Sequence, residues 1–237
     1  MTMEPPPPTP PPPPPPPGQP YGGAPGAAPV DIGEALSYGW AAYWKNVGPM
    51  LAIAAVVFAI QVAFNLLGLA IDNGVAQALL DIAGALVSLL VTLGWLRVAL
   101  EITSGRRPEV GDVFKGFGYG GFLLASILFY IGAVIGLILF IVPGLIFIAT
   151  FGFYGFVIAE RGENVGVIES LQRSADITRG HRWQLFGMAI VLVLVNIVGL
   201  LACLVGVIFT LGITLIAWAY TYRRLSNEPI EYAAWGL

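Results

Sequence analysis

Among its 237 residues the chain holds one histidine, His181, and one cysteine, Cys203. A single histidine excludes an H-E-x-x-H zinc site. A single cysteine excludes an internal disulfide and a cysteine-built metal centre. His181 stands between Arg179 and Arg182, a setting that suits a lipid-headgroup or interface contact better than general-base work. No G-x-S-x-G elbow occurs. Ser88 and Ser126 lie in apolar runs with no neighbouring base, so they read as helix hydroxyls that bond backbone or a neighbouring helix. Residues Gly116 to Gly121 read G-F-G-Y-G-G and fit G-x-G-x-x-G in form. The dinucleotide fingerprint needs a preceding strand and a βαβ unit. Here an amphipathic stretch precedes and an apolar run follows, which makes the glycines a flexible joint. No residue is assigned to catalysis, to a cofactor or to a metal, and the expectation is a protein that is not an enzyme.

Polar groups inside apolar runs are costly and are therefore the next candidates. Asp81 is the one carboxylate well inside such a run. With Asn65 and Asn196 it forms the candidate intramembrane polar site, the basis for a transport or proton role. Gln61 and Asn65 share a helix face at i,i+4, and helix–helix hydrogen bonds are the default for them and for Asn196. Gly132 and Gly136 form G-x-x-x-G, which favours close helix contact. Cys203 reads as a small apolar filler.

The elements that position these groups follow from composition. Hydrophobic residues make up 57% of the chain and charged residues only 11%, against about a quarter in soluble domains. Mean hydropathy is +0.81. A soluble globule cannot hide so much apolar surface behind so few charges. The net charge of −3 offers no field for nucleic acid. All eleven Lys and Arg residues fall in four clusters: Lys45; Arg97, Arg106, Arg107 and Lys115; Arg161, Arg173, Arg179 and Arg182; Arg223 and Arg224. The cation-free stretches 46–96, 116–160 and 183–222 run 51, 45 and 40 residues. One crossing of ~30 Å of hydrocarbon takes ~20 residues, so each stretch holds two crossings and a turn. Turns are expected at Asp72-Asn73-Gly74, at Pro143-Gly144 and at Gly206. The expected spans are about 50–71, 75–97, 121–141, 145–160, 184–203 and 207–222.

Six spans put every cation, and both termini, on one side, which the positive-inside rule makes cytoplasmic. Trp40, Trp44, Trp95, Trp183, Trp218 and Trp235 fall near that side, with Tyr43, Tyr119, Tyr220 and Tyr222 extending an interfacial belt. Each pair of spans is preceded by a short amphipathic stretch opening at Asp31, Glu109 or Asn164. Glu169 and Arg173 add an i,i+4 pair on the wet face of the third. The fold class expected is all-α: a polytopic membrane helical bundle of six transmembrane helices in three hairpins, each hairpin preceded by a cytoplasmic interfacial amphipathic helix. That domain occupies 31–237. Residues 1–30 form a disordered proline-rich tail, with fifteen of the nineteen prolines inside 1–29. In polyproline II form, Pro5 to Pro17 would reach on the order of 40 Å. The tail reads as a spacer or a ligand for a proline-reading domain. Arg106, Arg107, Arg179 and Arg182 are the candidate contacts for anionic lipid headgroups.

Several marks together resemble a bacterial membrane family. They are Val142-Pro143-Gly144, Phe151 to Ala159, Glu160, Glu169-Ser170-Leu171-Gln172-Arg173-Ser174, Thr178-Arg179-Gly180, Trp183 and Phe186-Gly187, with Gly33-Glu34-Ala35-Leu36 and Gly39-Trp40 at the start. The family is the membrane domain fused to some glycerophosphoryl diester phosphodiesterases, with its uncharacterised stand-alone relatives. The resemblance covers roughly residues 31–225 and implies a six-span bundle of unsettled activity. The soluble enzyme domain, with its histidine pair and metal-binding carboxylates, has no counterpart here. The resulting expectation is a non-enzymatic scaffold or membrane-organising component of a bacterial plasma membrane. Its expected partners are membrane lipids and, through the tail, other envelope proteins. The alternative is a small permease for a lipid-like or neutral solute.

Overall fold

The computed structural model describes residues 30–236 except 72, 115–117 and 202. The proline-rich tail, Asp72 of the first expected turn, Lys115 and the Gly116-Phe117 part of the glycine run lie outside the described residues, as does the side chain of Cys203. Among the described residues the chain is helical, with no strand. The α-helices are α1 (Ile32–Lys45), α2 (Val47–Leu69), α3 (Gly74–Thr103), α4 (Tyr119–Leu139), α5 (Ile141–Phe151), α6 (Tyr154–Arg161), α7 (Val167–Ile177), α8 (Arg182–Leu201) and α9 (Cys203–Ser226). Five segments are long and apolar enough to cross a membrane: Val47–Leu69, Gly74–Thr103, Tyr119–Leu139, Val142–Asn164 and Arg182–Leu201. The chain is a membrane protein on that ground.

Local chemistry explains several boundaries. Asp31 caps α1 by accepting from the Glu34 N–H at 3.0 Å. Asn73 caps α3 by accepting from the N–H groups of Val75 and Ala76 at 2.9 and 3.3 Å, so the first expected turn falls where polar residues mark it. Gly118 opens α4 at φ 88°, where a Cβ would also sit 2.9 Å from the Gly162 carbonyl carbon.

Two other turns differ from expectation. The chain turns at Phe140, which is extended, and Pro143 lies in the first turn of α5. That position needs no backbone donor, so proline is tolerated there. Gly206, the last expected turn, lies inside α9, which begins at Cys203. The three amphipathic stretches also diverge. The first is α1. The second is only a 3-10 turn, Val110–Val113, in which Asp112 accepts from the Glu109 N–H. The third is α7, which starts at Val167 with Gly166 rather than Asn164 before it. Arg173 does not lie on a wet face: it is 8% exposed and turned into the protein.

Packing is uneven along the helices. The largest fully buried side chains include Tyr38 and Tyr43 of α1, Leu93 and Ile102 of α3, Ile158 of α6, Leu185 and Met188 of α8, and Tyr220 and Tyr222 of α9. These are the finishing turns of α3, α6 and α9 and the opening turns of α8, where the cations also lie. At the other end Leu69, Val75, Ile138, Phe140 and Leu201 are exposed, as lipid-facing residues must be. There the helices meet through small residues and single polar bonds. Gln61 donates to Ser88 at 2.9 Å between α2 and α3, and Asn196 donates to Thr214 at 2.9 Å between α8 and α9. The G-x-x-x-G pair serves α5: Gly132 faces the Phe147 ring, and a Cβ on Gly136 would lie 2.9 Å from the Gly144 Cα. Backbones this close leave no room for a side chain. Gly136→Leu should therefore destabilise the protein by ~1–3 kcal/mol, read as a lower melting temperature in mild detergent. Gly120→Ala, which meets nothing within 4 Å, should not.

Candidate functional site

Two features have chemistry beyond helix packing: a polar knot at the cation-bearing end and a cavity between α5 and α8. The knot begins at α9. The Arg223 guanidinium, 9% exposed, donates to the Leu100 carbonyl at 3.3 Å, the Ser104 hydroxyl at 2.7 Å and the Pro229 carbonyl at 3.1 Å. Leu100 lies in the last turn of α3, and its carbonyl also accepts from the Ser104 N–H at 3.1 Å. A cation there also meets the negative end of the helix dipole. Tyr222 donates to the Glu160 carboxylate at 2.7 Å and its ring stacks on Phe156, tying α9 to α6. Thr221 bonds back to the Ala217 carbonyl and lies 3.1 Å from the Met188 sulfur of α8.

The segment after α9 folds back and completes the knot. Tyr232 donates to Glu34 of α1 at 3.2 Å. Its single proton is then used, so Tyr220 is the donor in the 3.0 Å Tyr220–Tyr232 contact. Tyr38 donates to the Glu231 carbonyl at 3.0 Å, and Trp235 donates through Nε1 to the Ile102 carbonyl at 3.1 Å. Tyr220 and Tyr222 are therefore buried bonding groups, and Tyr43 is buried edge-on to Trp44 and Phe209, rather than members of an interfacial belt. Trp235 is core as well. Trp40, Trp44 and Trp183 are exposed and do suit an interface.

The cavity has a different character. A space of about 550 Å³ is walled by side chains such as Leu145, Phe153, Phe156, Leu185, Val193 and Trp218. A second space of about 360 Å³ adjoins it, sharing Leu145, Ala149 and Phe186 as walls and adding Val142, Arg182 and Trp183. Arg182 is the one charged residue on either wall. Val142 lies in the first turn of α5 and Arg182 opens α8. Two residues on one cavity of this size lie closer than a full hydrocarbon thickness, although six perpendicular spans would put those helix starts on opposite surfaces. The helical break at Gly152-Phe153, between α5 and α6, is where the segment can incline to meet α8.

The candidate lipid contacts divide in two. Arg106 lies 3.6 Å from Glu101 and Arg179 lies 3.5 Å from Asp176. Arg107 and Arg182 are exposed and have no acidic partner in ion-pair range among the described residues. The candidate polar site is not gathered together. Asp81 is exposed on α3 and accepts from Gln77 at 3.2 Å; Asn65 donates to the Gln61 carbonyl of its own helix; Asn196 joins α8 to α9. Ser126 meets the Tyr154 hydroxyl at 2.8 Å, and His181 meets Gln184 at 2.8 Å. Among the described residues no three His, Cys, Asp or Glu side chains cluster. The cavity has no local signal in the sequence, and for the fold-back of 227–236 the signal would have been three large apolar residues, Ile230, Tyr232 and Trp235, close together near the end of the chain.

Residues 109–221 match a family described as a domain of unknown function (DUF7847). The match begins at the Glu109 turn and ends in α9, so it leaves α1, α2 and α3 outside and covers less than half of the chain. No curated protein and no solved structure matches the chain.

Burial pushes the Tyr38 phenol up to about 12 from its ordinary 10.0. The unfolded chain ionises this group first, so the stability from burying it neutral is whole below pH 10 and is lost as pH rises toward 12. The melting temperature in mild detergent should fall across that window. Tyr38→Phe should start ~1 kcal/mol less stable through its lost hydrogen bond and fall less steeply.

Proposed function

We propose that the protein is a non-enzymatic scaffold of a bacterial plasma membrane, spanning it six times with both termini in the cytoplasm. The sixth span is α9, 24 residues from Cys203 to Ser226. The residue pairings Gln61–Ser88, Gly136–Gly144 and Asn196–Thr214 support three antiparallel hairpins. The observation that carries the reading is the polar knot. It ties α1, α3, α6, α9 and the end of the chain into one rigid face, and that face bears the cations. A rigid face exposed to the cytoplasm is what a partner-binding protein needs, and the proline-rich tail at 1–29 adds a second attachment. The resemblance to the phosphodiesterase-linked membrane family accords with it, since that family's stand-alone relatives lack the enzyme domain.

The permease alternative draws on Asp81, Asn65 and Asn196. Each is bonded locally, on different helices, and the cavity described is walled by apolar groups. Among the described residues nothing gathers polar groups around a solute.

In intact cells with Cys203 replaced by Ser, Asn73→Cys should react with an impermeant maleimide and Arg107→Cys should not; the reverse pattern would invert the threading. The full chain purified in mild detergent should carry a reproducible set of associated envelope proteins. Deleting residues 1–29 should remove part of that set, and an unchanged set would take the tail out of the proposal.

A further inference from the structure

We propose that the two adjoining cavities between α5, α6 and α8 form one site for an anionic phospholipid, with an acyl chain in the larger space and the phosphate against Arg182. The inference does not need the scaffold reading, since a permease with this geometry would hold the same lipid.

Three observations meet here. The first is the space itself, a half-open groove of about 550 Å³, within the ~300–1,000 Å³ of small-molecule sites. Its walls are apolar, and Ile190, Val193 and Leu194 among them are exposed, so they offer water almost nothing to bond and suit an apolar occupant. The apolar material at hand in a membrane is the acyl chain.

The second is the charge. Arg106 and Arg179 each face a carboxylate, whereas the exposed Arg182 has none within ion-pair range among the described residues. It is also the residue that lines the smaller cavity. A planar guanidinium with free donors matches a phosphate. The first turn of α8 begins at Arg182 and adds the positive end of its dipole. The third is the depth marker beside it. Trp183 is 79% exposed on the same wall, as an interfacial tryptophan is. Chain below, phosphate at the mouth and indole at the boundary follow the layering of a phospholipid.

A chain moved from bilayer to cavity leaves one oily medium for another and gains little. Selectivity must then come from the headgroup. One arginine near a membrane surface is worth about fivefold in affinity for an anionic over a neutral lipid.

The test is native mass spectrometry of the full chain in mild detergent. The probes are phosphatidylglycerol and phosphatidylcholine with identical chains. The wild type should retain one phosphatidylglycerol, about fivefold more tightly than phosphatidylcholine. Arg182→Gln should bring the two lipids to parity, and Arg182→Lys should keep the preference. Ala189→Trp, on the wall of the larger cavity, should abolish retention of both. Inorganic phosphate should not displace the lipid. Equal retention of the two lipids by the wild type, an unchanged preference in Arg182→Gln, or displacement by phosphate would each overturn the proposal. So would full retention by a folded Ala189→Trp. If that variant fails to fold, the Arg182 pair decides alone.

Discussion

The buried guanidinium of Arg223 sets the terms for the rest of the molecule. It closes the carbonyl end of α3 and holds the Pro229 carbonyl. Hydrocarbon gives two helices no hydrophobic reason to meet, because lipid is as apolar as leucine. Each helix also satisfies its own backbone. Specific packing must then come from small-residue contacts or from polar groups placed where water is near enough to make them tolerable. This chain puts most of the polar groups at one end. Arg223, Tyr222 and Tyr220 follow one another in the last turns of α9, and each reaches a different neighbour: α3, α6, and α1 through Tyr232.

That placement explains the uneven packing. The end fastened by the knot can bury whole tyrosines, while the far ends of α2, α3, α4 and α8 remain wrapped in lipid. It also explains why α3 is 30 residues long. At ~1.5 Å per residue it spans about 45 Å, more than the hydrocarbon core needs. Its final turns carry Leu100 and Ile102, whose carbonyls Arg223 and Trp235 require.

The sequence displayed the helices through its cation-free stretches, and it displayed the first turn and the α1 cap through Asn73 and Asp31. Inside hydrocarbon, however, the face of a helix that meets protein and the face that meets lipid are both apolar. Periodicity therefore carried little about what packs where. Tyrosine was ambiguous for a related reason: its wet tip and apolar body suit an interface and a buried hydrogen bond equally. Arg173 was misplaced because i,i+4 spacing to Glu169 describes an isolated helix, whereas α7 is packed against α4, α5 and α6. Pro143 and Gly206 sit inside α5 and α9 because the first turn of a helix tolerates proline and a packed helix tolerates glycine.

The cavity was the least legible feature, since its walls come from segments that only the fold brings side by side. Its cause can still be followed in residues. Gly152 and Phe153 interrupt the segment between α5 and α6. Phe153 stays with the core, edge-on to Trp218 at 5.5 Å, and its N–H is held by the Ser174 hydroxyl at 3.1 Å. The same hydroxyl donates to the Thr150 carbonyl at 3.0 Å, and Thr178 donates to it at 3.1 Å. So the break is fastened from α7, and the carbonyl it would leave orphaned in an apolar region is satisfied. With its finishing turn pinned there, α5 is free to diverge from α6 and lean toward α8. A gap then opens in the angle between them. The hydroxyls that make a broken helix affordable inside a membrane are thus the residues that make room for the cavity.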